Sequence, residues 1–299
     1  MVAHFVAVIL SCALLAGAAN AQDKVSIEKM SFRVVDAFEP GAAVSGELRM
    51  PDSKSRVPAV LILHGSAGID GRGTSYAEAL NRAGMATLEI DMFQGRGRPV
   101  TTRHNMPHAY ESLQYLARHP RIDPMRIGIM GFSWGGVISV LTSSEELTRQ
   151  YGGGTSRFAA HLGIYPVCTS HRTVLAGTAR YFKPSIYGRV TGMPVHILAG
   201  ERDDYDLPDT CGKFVDELPA EVRRHFSLTV YPDATHGWDG TAGGAYFDAY
   251  AHAGKGGTVD VVANPEIAHR SREFAVAFFR RNLYATAPEA RSAATSSGE

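Results

Sequence analysis

Arg126-Ile127-Gly128-Ile129-Met130-Gly131-Phe132-Ser133-Trp134-Gly135-Gly136 is the stretch on which the reading of the fold turns. Arg126 to Met130 is a short apolar run of strand character, and a helical pattern follows from Trp134 through Leu147. Between them stands Gly131-Phe132-Ser133-Trp134-Gly135, a G-x-S-x-G string. By itself such a string arises by chance in about one chain in five of this glycine and serine content, so its setting carries the weight. A strand that turns at once into a helix must bend sharply. The bend lifts the Ser133 hydroxyl clear of the sheet, and small neighbours are needed because backbone passes close by. The helix starting at Trp134 aims unpaired N–H groups and the positive end of its dipole at any oxyanion formed beside Ser133. A plain alternative is a glycine-rich turn with a helix-capping serine.

Working outward, the same strand–turn–helix alternation recurs. Ser31 to Asp36 and Ala43 to Met50 alternate as an antiparallel pair would. Val57 to His64 is almost continuously apolar, as a central strand covered on both faces should be, and it ends in Gly65-Ser66-Ala67-Gly68. An amphipathic stretch from Ser75 to Ala83 precedes a strand at Met85 to Ile90 and a Gly/Arg-rich loop over Gln94 to Val100. Pro107 to His119 has helical spacing of Ala109, Leu113, Leu116 and Ala117. Phe158 to Val167 and Pro194 to Ala199 are further strands, Phe226 to Tyr231 is read as the last, and Glu266 to Leu283 closes the chain as an amphipathic helix. Strands alternating with helices predict an α/β fold with a mostly parallel sheet covered on both faces. No linker interrupts residues 27–284, which read as one domain.

A serine nucleophile needs a base and an acid to hold that base. Among the 12 histidines, His236 lies in Asp233-Ala234-Thr235-His236-Gly237-Trp238, just past the Phe226–Tyr231 strand, where a loop can fold back over Ser133. The plain alternative is a loop histidine bonded to nearby backbone. After the strand ending at Gly200 comes Glu201-Arg202-Asp203-Asp204-Tyr205-Asp206. Asp203, just beyond the strand end, fits the acid best, with Asp204 its rival and a solvated acidic turn the alternative for both. The order Ser, Asp, His is that of the α/β-hydrolases. The oxyanion would be held by the backbone N–H of Trp134 and by one from the His64–Gly68 loop, Ser66 first and Ala67 next. His64 itself reads as shaping that loop.

Lys+Arg and Asp+Glu both number 30, so the chain carries no footprint for nucleic acid or an anionic membrane, and a small or neutral partner is expected. The spacing H-x-x-x-H occurs at His104 and His108, but no Glu follows His104, and Pro107 suggests a helix start between them. No metal or cofactor is implied. Phe5 to Ala16 is a short apolar run followed by Gly17-Ala18-Ala19-Asn20-Ala21, which predicts a cleaved export signal over residues 1–21. Export to a periplasmic or extracellular space follows, with no stable membrane insertion. The Ala/Ser/Thr/Pro-rich residues 285–299 read as a disordered tail. Besides Cys12 in that signal, Cys168 and Cys211 remain, either a disulfide or two buried thiols.

On Gly131-Phe132-Ser133-Trp134-Gly135-Gly136, Gly200-Glu201-Arg202-Asp203-Asp204 with Pro208 and Cys211, and His236-Gly237, the chain resembles the dienelactone hydrolase family of α/β-hydrolases. Leu63-His64-Gly65 and Ile90-Asp91-Met92-Phe93 with Arg96-Gly97 share the resemblance, which runs from about residue 30 to 283. It implies hydrolysis of carboxylic esters or lactones through an acyl-enzyme, with Ser133, Asp203 and His236 at the triad positions. Dienelactone hydrolases proper carry cysteine where this chain has Ser133, and an acidic residue absent from Gly65-Ser66-Ala67-Gly68, so dienelactone is not the expected substrate. The likeness to exported serine-bearing members, in which Cys168 and Cys211 fall at the ends of neighbouring strands, favours a disulfide between them. Phe93, Tyr165 and Trp238, with Trp134, are candidate walls of a substrate pocket, and each could equally be core. The competing readings are a serine peptidase on short peptides and a non-catalytic binding protein of the same fold.

Overall fold

The computed structural model describes residues 25–34, 43–93, 101–153, 156–241 and 243–284. The segments 1–21, 94–100 and 285–299 singled out above lie outside them. The strands are β1 Val25–Arg33, β2 Ala43–Pro51, β3 Val57–Leu63, β4 Ala86–Asp91, β5 Ile122–Phe132, β6 Ala160–Ile164, β7 Val195–Gly200, β8 Phe226–Tyr231, β9 Gly244–Asp248 and β10 Gly257–Val261. The helices are α1 Arg72–Arg82, α2 Thr102–Arg118, α3 Trp134–Leu141, α4 Glu145–Tyr151, α5 Cys168–Leu175, α6 Thr210–Glu217, α7 Ala220–Arg223, α8 Ala251–Gly254 and α9 Pro265–Tyr284.

Eight strands form one sheet in the order β1-β2-β4-β3-β5-β6-β7-β8. β1 and β2 pair antiparallel, as does β2 with β4; the rest of the ladder is parallel. β3 explains why the pattern reads so clearly. All seven of its residues are buried. Ala59, Leu61 and Leu63 join the core beneath α2 and α3, while Val60 and Ile62 join the core beneath α1 and α9. A strand with helices on both faces has no polar side to show. From β3 the chain moves out to β4 and then returns across β3 to β5, so the winding reverses there. Loops at the carboxyl ends of strands flanking such a reversal bound a crevice where ligands bind in open α/β sheets.

The structure corrects several boundaries. β1 begins at Val25, before the expected Ser31, because this edge strand is exposed at most positions and offers little alternation. α2 starts at Thr102 and contains Pro107, so His104 and His108 lie one helical turn apart after all. There His104 Nδ1 is 2.6 Å from Thr101 Oγ1, and His108 Nδ1 is 3.4 Å from Asn105 Nδ2. The helix expected to run through Leu147 breaks after Leu141 into α3 and α4. Thr142 and Ser143 turn their hydroxyls onto nearby carbonyls and Ser144 caps α4. β6 ends at Ile164 because Tyr165 adopts φ 37°. Finally, β8 is not the last strand. β9 and β10 form a separate antiparallel hairpin between β8 and α9.

Candidate active site

Ser133 sits between β5 and α3 with φ 48° and ψ −111°, a left-handed conformation that a β-carbon-bearing residue rarely adopts. The sequence permits this bend through its glycines. A β-carbon at Gly131 would collide with Gly135 backbone, and one at Gly135 with the Leu63 and His64 carbonyls. The Ser133 N–H donates to the Ile164 carbonyl at 2.9 Å, tying the bend to the end of β6. Backbone held in such a region stores on the order of 1–3 kcal/mol, and neighbouring structure must hold it there.

Asp203, following β7, and His236, following β8, converge on this serine. The Ser133 Oγ is 2.9 Å from His236 Nε2, and His236 Nδ1 is 2.7 Å from Asp203 Oδ2. A neutral imidazole satisfies both contacts if Nδ1–H donates to the carboxylate and Nε2 accepts from the hydroxyl. Both side chains are nearly buried, which keeps water from competing. The other Asp203 oxygen accepts the Tyr205 N–H at 2.9 Å. Asp204 turns elsewhere, accepting the Asp260 N–H of β10 at 2.8 Å. Of the two aspartates, the one brought to His236 is Asp203.

Two tyrosine rings flank the imidazole. Tyr165 lies edge-on with ring centres 4.9 Å apart, and Tyr205 is tilted at 4.4 Å. Behind Tyr165, its hydroxyl donates to Asp239 Oδ1 at 2.5 Å, and the Tyr76 hydroxyl donates to Asp239 Oδ2 at 2.9 Å. Burial pushes the Asp239 carboxyl above the usual range, opposed by the Tyr165 and Tyr76 hydroxyls and the Arg72 guanidinium. Arg72 bonds the Tyr165 hydroxyl at 3.1 Å and also pairs with Asp70. Tyr205, Arg72 and Asp239 are supports that sequence reasoning missed. Asp239 alone carried a signal, three residues beyond His236.

The loop after β3 closes as a tight turn, with the Gly68 N–H on the Gly65 carbonyl at 3.1 Å. Gly65 packs against Ser133, and Ser66 and Ala67 line the same cavity as Ser133 and His236. His64 is stapled across the loop. Its Nδ1–H donates to the Gly65 carbonyl at 2.7 Å, and its Nε2 accepts the Met92 N–H at 2.9 Å. Burial lowers its pKa, consistent with a neutral ring in that role.

The cavity above Ser133 has a volume of about 640 Å³. Its walls differ from those expected. Tyr165 and Trp238 are wholly buried behind His236, packed on each other at 4.6 Å. Phe93 packs edge-on against His64 at 4.6 Å, and the Trp134 indole N–H donates to Asn105 Oδ1 at 3.0 Å. None of the four lines the cavity among the described residues. Its far wall is instead the hairpin, with Tyr246, Phe247 and Asp248 of β9 and Val261 of β10. Such a strand was unreadable because β9 is exposed along nearly its whole length.

Beyond the cavity, the Cys168 and Cys211 sulfurs lie 2.00 Å apart, in the first turns of α5 and α6 rather than at strand ends. Asp206 sits beneath them, accepting the Cys168 and Thr169 N–H groups at 2.6 and 2.8 Å. Burial and the nearby Asp203 charge push its carboxyl up to about 6, against the pull of those hydrogen bonds.

Residues 44–281 match the model of the dienelactone hydrolase family. The chain belongs to that family. Membership places it among the carboxylic ester hydrolases. A curated Bradyrhizobium relative named "Probable 2-oxo-3-(5-oxofuran-2-ylidene)propanoate lactonase" is 23% identical over 231 residues, covering 71% of this chain and 86% of the relative. The structure is similar to Thermogutta terrifontis esterase 2 phosphorylated by paraoxon, with TM-score 0.62, 16% identity, and coverage of 85% of this chain and 94% of that one. It is also similar to a dienelactone hydrolase-like promiscuous phosphotriesterase from metagenomic libraries, with TM-score 0.61, 18% identity, and coverage of 87% and 99%. At such identities the structural likeness speaks for the fold. No described helix is long and apolar enough to cross a membrane.

Proposed function

We propose that this family member is a serine hydrolase that cleaves carboxylic esters or lactones through an acyl-enzyme on Ser133. The observation that carries this is the unbroken contact from Ser133 Oγ to His236 to Asp203 at 2.9 and 2.7 Å. His236 Nε2 takes the hydroxyl proton as Oγ bonds to the substrate carbonyl carbon. Asp203 stabilises the imidazolium that results. The Trp134 N–H and one from Ser66, with Ala67 beside it, receive the oxyanion, each worth on the order of 3 kcal/mol in the transition state. Collapse breaks the acyl C–O bond, and His236 returns its proton to the departing alkoxide. Water then repeats the sequence and frees Ser133. In a lactone the alkoxide stays tethered to the acyl chain, so one hydroxy acid leaves. The Bradyrhizobium lactonase supports lactones as part of the class, while serine in place of the family's cysteine supports general esters.

A fluorophosphonate probe is expected to label Ser133, and Ser133→Ala is expected to lose both labelling and p-nitrophenyl ester turnover by at least about a thousandfold. Turnover of peptide anilides with none of esters would overturn the reading in favour of a peptidase. Failure of the probe to label would favour a binding protein. We further infer export, supported by the residue 1–21 pattern and by the Cys168–Cys211 pairing, since disulfides persist mainly in oxidising compartments. Mature protein beginning at Gln22 in the extracytoplasmic fraction is the expected result.

A further inference from the structure

The loop that carries His236 holds a second carboxylate that the proposed chemistry does not use. Asp239 lies three residues past His236, and the Gly240 N–H on the Gly237 carbonyl at 2.9 Å closes the turn between them. Its side chain is only 1% exposed. Taking a carboxylate out of water is costly, and an apolar side chain of similar size often serves a fold as well. The fold surrounds Asp239 with donors instead. Tyr165 and Tyr76 each give it a hydroxyl, and Tyr76 shares Ser271 of α9 with the Trp238 indole, at 2.6 and 3.3 Å. The end of β6, α1 and α9 are thereby tied to the loop of the base.

Tyr165 is the link to the reacting groups. Its N–H donates to the Leu198 carbonyl of β7 at 2.7 Å, and the Ile164 carbonyl just before it receives the Ser133 N–H. Its ring lies on His236 and its hydroxyl on Asp239. Its φ of 37° is a left-handed conformation that surrounding bonds must hold. The charges near the imidazole do not cancel. Asp203 meets Nδ1 and Ser133 faces Nε2, while the Tyr165 and Tyr205 rings lie against it, with Asp248 on the Tyr205 hydroxyl. Behind Tyr165 stand Asp70, Arg72 and Asp239, with the guanidinium 2.8 Å from Asp70 and 4.0 Å from Asp239. One guanidinium against two carboxylates leaves a net negative charge there, where little water screens it.

We propose that Asp239 is a positioning residue for His236: it braces the imidazole through Tyr165 and supplies negative charge that favours the imidazolium formed in the reaction. This rests on the proposed function of the site, so the test includes a readout that needs no turnover. Asp239→Asn keeps the shape of the side chain and removes its charge. The His236 ring protons, assigned by their loss in His236→Gln, are followed by NMR through a pH titration. Their midpoint is expected about one pH unit lower in Asp239→Asn than in the parent protein, the scale of one nearby charge at an effective protein dielectric. With p-nitrophenyl acetate, kcat at about pH 7 should fall about tenfold or more with KM held within about twofold, and the acid limb of kcat/KM should move down with the NMR midpoint. A carboxylate that only supports the fold would lower Tm and leave midpoint and limb in place, and that result overturns the proposal. If Asp239→Asn does not fold, Tyr165→Phe carries the test, because it keeps the packed ring and deletes only the hydroxyl that reaches Asp239. It should lower kcat about tenfold with KM within about twofold, and an unchanged kcat overturns the proposal. A parent protein without Ser133-dependent turnover would sink the catalytic reading, while the ring titration would still decide this one.

Discussion

Adjacent residues of the same type can do different work, and Asp203 and Asp204 show why. Their peptide units follow one another out of β7, so successive side chains point apart. One carboxylate reaches His236 and the other reaches β10. Asp203→Asn is expected to lower kcat by about four orders of magnitude, the effect measured for the equivalent change in a serine protease triad, because an amide leaves the imidazole in the wrong tautomer. Asp204→Ala should cost kcat less than about tenfold, and steady-state kinetics on both variants checks the contrast. Ser133 illustrates a second residue-scale effect. Its left-handed φ of 48° suits glycine, whereas alanine keeps the strain. Ser133→Gly should therefore be more stable than Ser133→Ala by about 1 kcal/mol, with denaturant unfolding of the two inactive variants as the measurement.

At the scale of elements, what could be read depended on how each one is buried. β3 and the Ile127–Phe132 part of β5 announce themselves because both faces are covered, whereas the part-exposed start of β5 at Ile122 falls before the expected Arg126. β8 matches its expected span from Phe226 to Tyr231. β9 is exposed and short, so nothing in its residues demands a strand until β10 pairs with it. α2 hid its first turn behind Pro107, since a proline inside a helix reads as a start. The stretch between α5 and α6 yields a stability prediction. Cys168 and Cys211 are separated by 43 residues, and closing a loop of that length removes unfolded-state entropy worth about 4 kcal/mol. Reduction, or the double change Cys168→Ala with Cys211→Ala, should lower Tm by roughly 10 °C in thermal unfolding.

Over the whole molecule, buried histidines set the response to acid. Burial lowers His161 and His196 to about 4 and His171 to about 3, against an ordinary value of 6.5. Among the described residues His161 Nε2 and His171 Nε2 have no hydrogen-bond partner, so a proton there would be a buried charge without a counterpart. In the unfolded chain these rings take up protons near 6.5, while in the fold they resist until far lower. Stability from this source is complete above about pH 7 and falls as pH drops through 6.5 toward 4. The raised carboxyls of Asp206, at about 6, and of Asp239 and Glu89 work in the opposite sense, favouring the fold as pH falls, and they offset part of the loss from the buried histidines, to which His64 adds. Urea unfolding followed from about pH 7 to about pH 4.5 should show a net loss of a few kcal/mol.

The central strands, the bend at Ser133 and the order of Ser133, Asp203 and His236 were legible in the residues alone. These rest on short-range demands: full burial of a strand, clearance at Gly131 and Gly135, and loops at the carboxyl ends of strands. The sequence also pointed to His64 as the shaper of the loop after β3, which its two backbone contacts agree with. Tertiary structure alone decided that Asp203 rather than Asp204 meets His236, that Tyr165 and Trp238 stand behind the site, and that a hairpin forms the cavity's far wall. Each of those depends on the placing of chain segments tens of residues apart, and the pattern of any one segment carries no trace of its distant neighbour.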